Sequence, residues 1–214
     1  MDNRQVDMDR TRDADRTRED ILDVATREFA DNGYAGARID KIAEQTHCTK
    51  RMIYYYFGSK EQLWIAVLER AYSGIRETEQ GLDVDGLDPA AAIRRLAELT
   101  YDHHTAHPDF LRLVSVENIH RGAHLAKSTA VASTRQPVIA LIERILLRGH
   151  EQGVFRADVD ALDVHMIISA YCVFPVANSH TFGILFGRDL LDSARHDHQR
   201  RLLGDMLVTY LTTP

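Results

Sequence analysis
The sequence predicts an all-α chain, and three observations predict it. Apolar residues recur three and four positions apart through most of the 214 residues, the spacing that lines one face of a helix. Clusters of Gly, Asn, Asp and Pro punctuate these stretches at helix-length intervals, where a helix must stop or restart. No segment alternates apolar and polar residues with the period of two that a half-buried strand needs.

The elements follow in order. Residues 1–15 alternate Arg and Asp with almost nothing apolar, too little to bury against the entropy of ordering, so an unstructured arm is expected there. A helix is expected from about Arg16, capped by Asp15 or Thr17, with Ile21, Leu22, Ala25 and Phe29 on its inner face. Asp31-Asn32-Gly33 ends it, because Asn and Gly accept the left-handed conformation of a helix terminus. Two short helices come next: Ile39 to Gln45 with Ile42 and Ala43 inward, and Lys50 to Tyr56 with Thr49 as cap and Ile53 inward. Phe57-Gly58-Ser59 breaks the chain, and Ser59 caps a long helix carrying Leu63, Trp64, Val67, Leu68, Ala71 and Ile75.

Gly81 to Pro89, rich in Gly and Asp, reads as a linker and domain boundary. Helices then begin at Pro89, at Pro108 and near Val138. Residues 161–186 are apolar nearly all round, so burial on more than one side is expected, with a kink or break at Pro175. A last helix runs from about Leu190 to Leu211.

Composition excludes several classes. Apolar residues at 44% and charged residues at 27% are ordinary for a globular chain. No uninterrupted apolar run of membrane-spanning length and no basic leader before an apolar stretch occur, so no membrane partner and a cytoplasmic location are expected. Cys48 and Cys172 are far apart and read as free thiols. There is no nucleophile elbow, no phosphate-cradling Gly loop and no metalloprotease helix motif. The reading is therefore of a protein that is not an enzyme, with no catalytic residues, no metal and no cofactor. The net charge is −6, but residues 38–60 hold five basic side chains against two acidic ones, leaving −9 on the rest. A small basic face on an acidic body suits nucleic acid better than a uniformly charged surface does.

Two short helices joined by a tight turn behind a longer support helix make a DNA-reading tri-helix. Its demands are specific. A small residue must sit where the helices cross, which Ala43 supplies, and apolar residues must lock the second helix, which Ile42 and Ile53 supply. The second helix must turn donors and flat rings outward, and Thr49, Lys50, Arg51, Met52, Tyr54 and Tyr55 do so. Gly33-Tyr34, the run Ile39 to Ala43, and above all the run Thr49 to Leu63, which contains Ile-Tyr-Tyr-Tyr-Phe-Gly-Ser-Lys-Glu-Gln-Leu, resemble the tetracycline-repressor (TetR) family. The resemblance covers about the first 75 residues of the chain. One departure stands out: His47 occupies the inter-helix turn where the family usually has Gly. A left-handed backbone there costs a non-Gly residue about 1 kcal/mol or more, though His tolerates it better than most.

After the arm (1–15), the resemblance implies a helix-turn-helix domain (16–62) and a helical ligand-binding and dimerisation domain (63–214). It implies a ligand-responsive transcriptional regulator, by family default a repressor, that binds palindromic double-stranded operator DNA as a homodimer. By position it implies base contacts from Arg51, Tyr54 and Tyr55, and phosphate contacts from Thr17, Arg38, Thr49, Tyr55 and Lys60; Lys50 completes the DNA-facing set. The last two helices are the natural dimer interface. A small-molecule effector is expected among the helices of residues 89–180, where polar groups interrupt apolar helices: His103, Glu117, Asn118, Tyr171 and Asn178 are the candidates, with the Phe174 ring as an apolar contact. The long helix from Ser59 to about Gln80 is the expected coupling element. The alternative is a redox sensor through Cys48, or a metal-responsive regulator, on the same fold.

Overall fold
Helices account for all the regular structure in the computed structural model, which describes residues 3–130 and 135–212. The helices are α1 (Asn3–Gly36), α2 (Ile39–Gln45), α3 (Lys50–Phe57), α4 (Lys60–Gln80), α5 (Pro89–Ala106), α6 (Pro108–Ile119), α7 (Arg135–Glu151), α8 (Ala161–Phe186) and α9 (Ser193–Thr212). No strand occurs among the described residues, as the periodicity predicts. The contacts divide the chain into two compact units. The first holds the described residues up to Ala71 together with Arg112–Thr129; the second holds Tyr72–Leu111 and the described residues beyond Thr129. The boundary expected between residues 62 and 63 falls inside α4.

The first unit is built on Ile21, Leu22, Phe29, Ile42, Ile53, Leu63, Trp64 and Leu68, each nearly solvent-free. Phe29 meets the Trp64 ring edge-on, centroids 5.0 Å apart, the geometry that the ring quadrupoles favour. α1 reaches back to Asn3 instead of starting near Arg16. No Gly or Pro precedes Gly33, and once a helix exists each further residue adds a hydrogen bond at little cost. Thr17 consequently lies inside the helix, its hydroxyl donating to the Asp13 carbonyl at 2.8 Å, and caps nothing. The expected interruption at Gly33 is present, with φ of 67°. Gly58, at φ of 76°, likewise turns the chain between α3 and α4, and the Ser59 hydroxyl accepts from the Gln62 N–H at 3.1 Å to begin α4.

In the second unit α5 packs against α7, α8 and α9. Its core comprises Ile93, Leu96, Tyr101, Ile142, Ile145, Val164, Ile168, Cys172, Leu203, Leu207 and Leu211. The segment expected as a linker is part of this unit: Val84 is buried, and the Arg148 guanidinium donates to the carbonyls of Val84, at 2.9 Å, and Leu87. Polar composition marks that segment as irregular, but a distant arginine supplies the hydrogen bonds that its backbone needs.

Pro175 does not break α8, which runs unbroken for 26 residues. A proline removes one ladder hydrogen bond, and burial of Cys172, Pro175 and Val176 in the core offsets it. The expectation of burial on more than one side fails within the single chain. One stripe of α8 is buried, while Leu162, Met166, Phe174, Ile184, Leu185 and Phe186 stay exposed. By length and composition alone α8 is apolar enough to cross a membrane; Asp163, His165, Asn178 and His180 interrupt it and hide this from a search for continuous apolar runs.

Candidate nucleic-acid interface and ligand cavity
α2, a tight turn and α3 form the reading head. The turn closes with Thr46 N–H on the Ile42 carbonyl and Cys48 N–H on the Ala43 carbonyl, both at 3.0 Å. His47 sits between them at φ of 52°, so this turn takes the left-handed conformation without glycine. The Thr49 hydroxyl accepts from the Met52 N–H at 3.2 Å, which satisfies one orphan donor of α3. Ile53 and Phe57 anchor α3 to the core, and this fixes which side chains point away. Arg51, Met52, Tyr54 and Tyr55 are exposed, Tyr55 at 83%. Arg51 and Tyr54 carry no ion pair or side-chain hydrogen bond among the described residues.

Around them, Lys50 and Arg38 share the Asp40 carboxylate, Arg38 at 3.7 Å. All three side chains are largely exposed, so each pair is worth at most about 1 kcal/mol, and a phosphate competes readily for either cation. Lys60 is placed differently. Its ammonium donates to the carbonyls of Ala37, at 2.6 Å, and Ala35, at 3.4 Å, and lies 5.2 Å from the Tyr34 ring centre. Burial lowers its pKa, against the pull of Glu28. Lys60 therefore ties off the end of α1.

Of the six side chains expected at an effector, Glu117 and Asn118 lie in the first unit and His103, Tyr171, Phe174 and Asn178 in the second. Glu117 belongs to the first unit and is nearly solvent-free. Its carboxylate accepts from the Trp64 indole N–H at 2.9 Å and from the backbone N–H groups of His124, at 2.8 Å, and Leu125, at 2.9 Å. The His124 ring nitrogen stands 2.9 Å from the same carboxylate. Asn118 and Asn178 donate to carbonyls of their own helices, and Phe174 meets Phe182 edge-on at 5.9 Å. Tyr171 packs behind Tyr101, ring centres 6.3 Å apart.

His103 is buried on α5, stacked on His107 at 4.3 Å, and its Nδ1 has no hydrogen-bond partner among the described residues. Burial, reinforced by the neighbouring histidines, holds it down to about 4. His104, whose Nδ1 donates to the Thr100 carbonyl at 2.8 Å, is also held at about 4, chiefly by burial. The sign follows directly. Between about 6.5 and about 4 the unfolded chain binds protons at these two positions that the folded chain refuses, so stability falls as pH drops through that window. Denaturant unfolding at pH 5 is expected to show a loss on the order of 4 kcal/mol relative to pH 7, about 2 kcal/mol from each histidine. His104→Gln should remove about half of it, and an unchanged midpoint would refute the assignment.

An open cavity of about 800 Å³ lies between the end of α5 and the start of α9. Tyr101, Asp102, Thr105, Leu191, His196 and Arg200 contribute to its walls, and none of these was among the six candidates. The only local hint was the four-residue spacing of Tyr101 with Thr105 and of His196 with Arg200. That these two stretches meet is not written in either of them. Cys48 is half-buried and packs on the first core. No group of three metal-ligating side chains converges among the described residues.

Comparisons with known proteins agree with this arrangement. Residues 21–67 match the model for bacterial regulatory proteins of the tetR family, and residues 89–207 match the tetracyclin repressor-like C-terminal domain. The chain is 36% identical over 199 residues to the HTH-type transcriptional repressor NicS of Pseudomonas putida, covering 93% of this chain and 94% of that one. It is 33% identical over 176 residues to the HTH-type transcriptional repressor SCO4008 of Streptomyces coelicolor, covering 82% and 86%. The solved structure of SCO4942 from Streptomyces coelicolor superimposes with a TM-score of 0.62 at 28% identity, covering 89% of this chain and 97% of that one.

Proposed function
The chain belongs to the TetR family of DNA-binding transcriptional regulators, and from that premise we propose that it is a homodimeric repressor of palindromic operator DNA, released by a small-molecule effector. The carrying observation is α3. It presents Arg51, Tyr54 and Tyr55 to solvent from a helix whose other face is locked by Ile53 and Phe57. Arg51 reads a guanine edge by its paired donors, and the tyrosines supply hydroxyl and ring contacts. Thr49, Lys50 and Arg38 flank them on the phosphates, which fix register more than sequence. Thr17 and Lys60 are left to the architecture of α1. A protein working on chromosomal DNA acts in the cytoplasm.

A single tri-helix reads too few base pairs to be specific, so two heads must be held one helical turn apart. The exposed apolar residues of the last two helices supply the means. Leu162, Met166 and Phe174 fall on one face of α8 at multiples of four residues, and Leu202, Met206 and Tyr210 do the same on α9. These are the stripes that an isologous four-helix interface buries. The effector acts by binding one arrangement of the heads better than the other. α4, whose residues belong to both units, is the element through which it does so.

Sedimentation of the wild type with a double-stranded palindrome is expected to show two protomers per duplex. Met166→Lys combined with Met206→Lys places two charges in the proposed interface. It should yield folded monomers that bind the palindrome far more weakly. A wild type that remains monomeric while binding the palindrome at full affinity would overturn the dimer.

A further inference from the structure
The junction between α1 and α2 is held by side chains from outside it. Arg38 is the N-cap of α2, its backbone extended at φ of −120° and ψ of 121°, and its own side chain makes no capping hydrogen bond. In a capping box the residue three positions into the helix reaches back and accepts the N–H of the cap. That position here is Lys41, whose ammonium has donors only. The Glu28 carboxylate, ten residues back on α1, accepts the Arg38 N–H at 2.9 Å in its place.

Glu28 is nearly solvent-free, and a carboxylate buried so deeply is costly unless it is paired and hydrogen-bonded. Besides the Arg38 N–H, it lies in the field of the Lys60 ammonium, on which it pulls. Lys60 in turn holds the carbonyls of Ala35 and Ala37, and the Ala37 N–H returns to the Gly33 carbonyl at 3.1 Å. The entry to α2 is thus fixed from two sides, an N–H by an anion on α1 and two carbonyls by a cation on α4. Ala37 and Ile39, the neighbours of Arg38, are buried. The Arg38 side chain leaves this fixed backbone for solvent and shares Asp40 with Lys50 at the start of α3. A guanidinium on a fixed stem meets a phosphate with less loss of freedom than one on a mobile stem.

We propose that Glu28 is a positioning residue for DNA: by holding the Arg38 N–H it sets where the Arg38 guanidinium meets a backbone phosphate. Glu28 itself touches no DNA. The proposal rests on the phosphate contact assigned to Arg38 above.

The test uses the full-length protein and a labelled palindrome that the wild type selects from random-sequence double-stranded DNA, with affinity read by anisotropy at a series of salt concentrations. Arg38→Ala should weaken binding about tenfold, as the loss of one charge-assisted contact does, and lower the salt slope by about 1. Glu28→Leu removes the acceptor, leaves every DNA-facing side chain in place, and should lower the slope by the same amount. Glu28→Gln keeps an acceptor oxygen and should hold the wild-type slope. The double variant of Arg38→Ala with Glu28→Leu should be no weaker than either alone, because both remove one contact. Val24→Ala, a core loss on the same helix, should lower the urea midpoint and leave the slope unchanged. Should Glu28→Leu fail to fold, Glu28→Asp, one methylene short of Arg38, takes its place with the same expectation. A folded Glu28 variant lacking the acceptor but keeping the wild-type slope would overturn the positioning role. So would losses that add in the double variant, or a slope that falls in Val24→Ala as well. A wild-type slope in Arg38→Ala would instead sink the phosphate contact on which the proposal stands.

Discussion
Alanine at both Arg51 and Tyr54 is expected to weaken operator binding about 100-fold or more, since one well-formed base contact is worth about 1–3 kcal/mol and two are lost. The fold should not notice. Both side chains are exposed and carry no ion pair or side-chain hydrogen bond among the described residues, while the anchors of α3, Ile53 and Phe57, are untouched. The measurement is fluorescence anisotropy on a labelled fragment from upstream of the protein's own gene, at two salt concentrations. Salt dependence separates the two ways in which Arg51 can act. As a base contact, its loss relaxes sequence preference and leaves the salt slope nearly unchanged. As a phosphate contact, its loss weakens all sequences alike and lowers the slope by about 1. Wild-type affinity in the double variant would remove α3 from the interface.

The second large effect belongs to Glu117. Glu117→Gln should cost about 1–3 kcal/mol, as leaving a buried hydrogen-bonding group mismatched does. One of its oxygens takes the Trp64 indole N–H and faces His124 Nδ1; the other takes the backbone N–H groups of His124 and Leu125. A glutamine must turn an NH₂ group toward one of those pairs, setting donor against donor. Burial by itself would raise the pKa of this carboxyl. The N–H groups of Leu125, Trp64 and His124 outweigh burial and leave it below the ordinary glutamate value. Its contribution is thus whole above about pH 4.3 and lost as the pH falls through its depressed folded pKa. Trp64 is the single tryptophan of the chain, so its fluorescence reports the loss directly during urea unfolding. Asn118→Ala, one position along and exposed, should leave the midpoint unchanged. Were Glu117 an effector contact, as its polarity in an apolar helix suggests, the substitution would change ligand affinity and spare stability.

That contrast shows where reasoning along the chain runs out. Glu117 and His103 carry the same signal in sequence: a polar group on an apolar helix. One became the hub of the first unit, and the other a buried imidazole in the second whose Nδ1 has no hydrogen-bond partner among the described residues. Lys60 shows it again. Its place at the start of α4 suits a phosphate, yet Gly33 and the end of α1 deliver two carbonyls to it across more than twenty residues. The exposed stripes of α8 and α9 were legible only as excess hydrophobicity. Which residues of that excess remain uncovered depends on how α5 and α7 take their share.

By itself the sequence determined what short-range physics controls: the all-helical class, the order of the helices, the interruption at Gly33, the stop at Gly58, the Thr49 cap and the outward face of α3. Each depends on residues within one or two helical turns, so the pattern and the outcome lie in the same stretch of chain. The tertiary structure alone decided that residues 112–129 join the reading head's unit, that the Gly81–Pro89 segment is held by Arg148, and that Tyr101 and His196 share a cavity. Those contacts join residues separated by tens of positions. They are selected by which buried donors and acceptors can be satisfied at once, a condition that no local window contains.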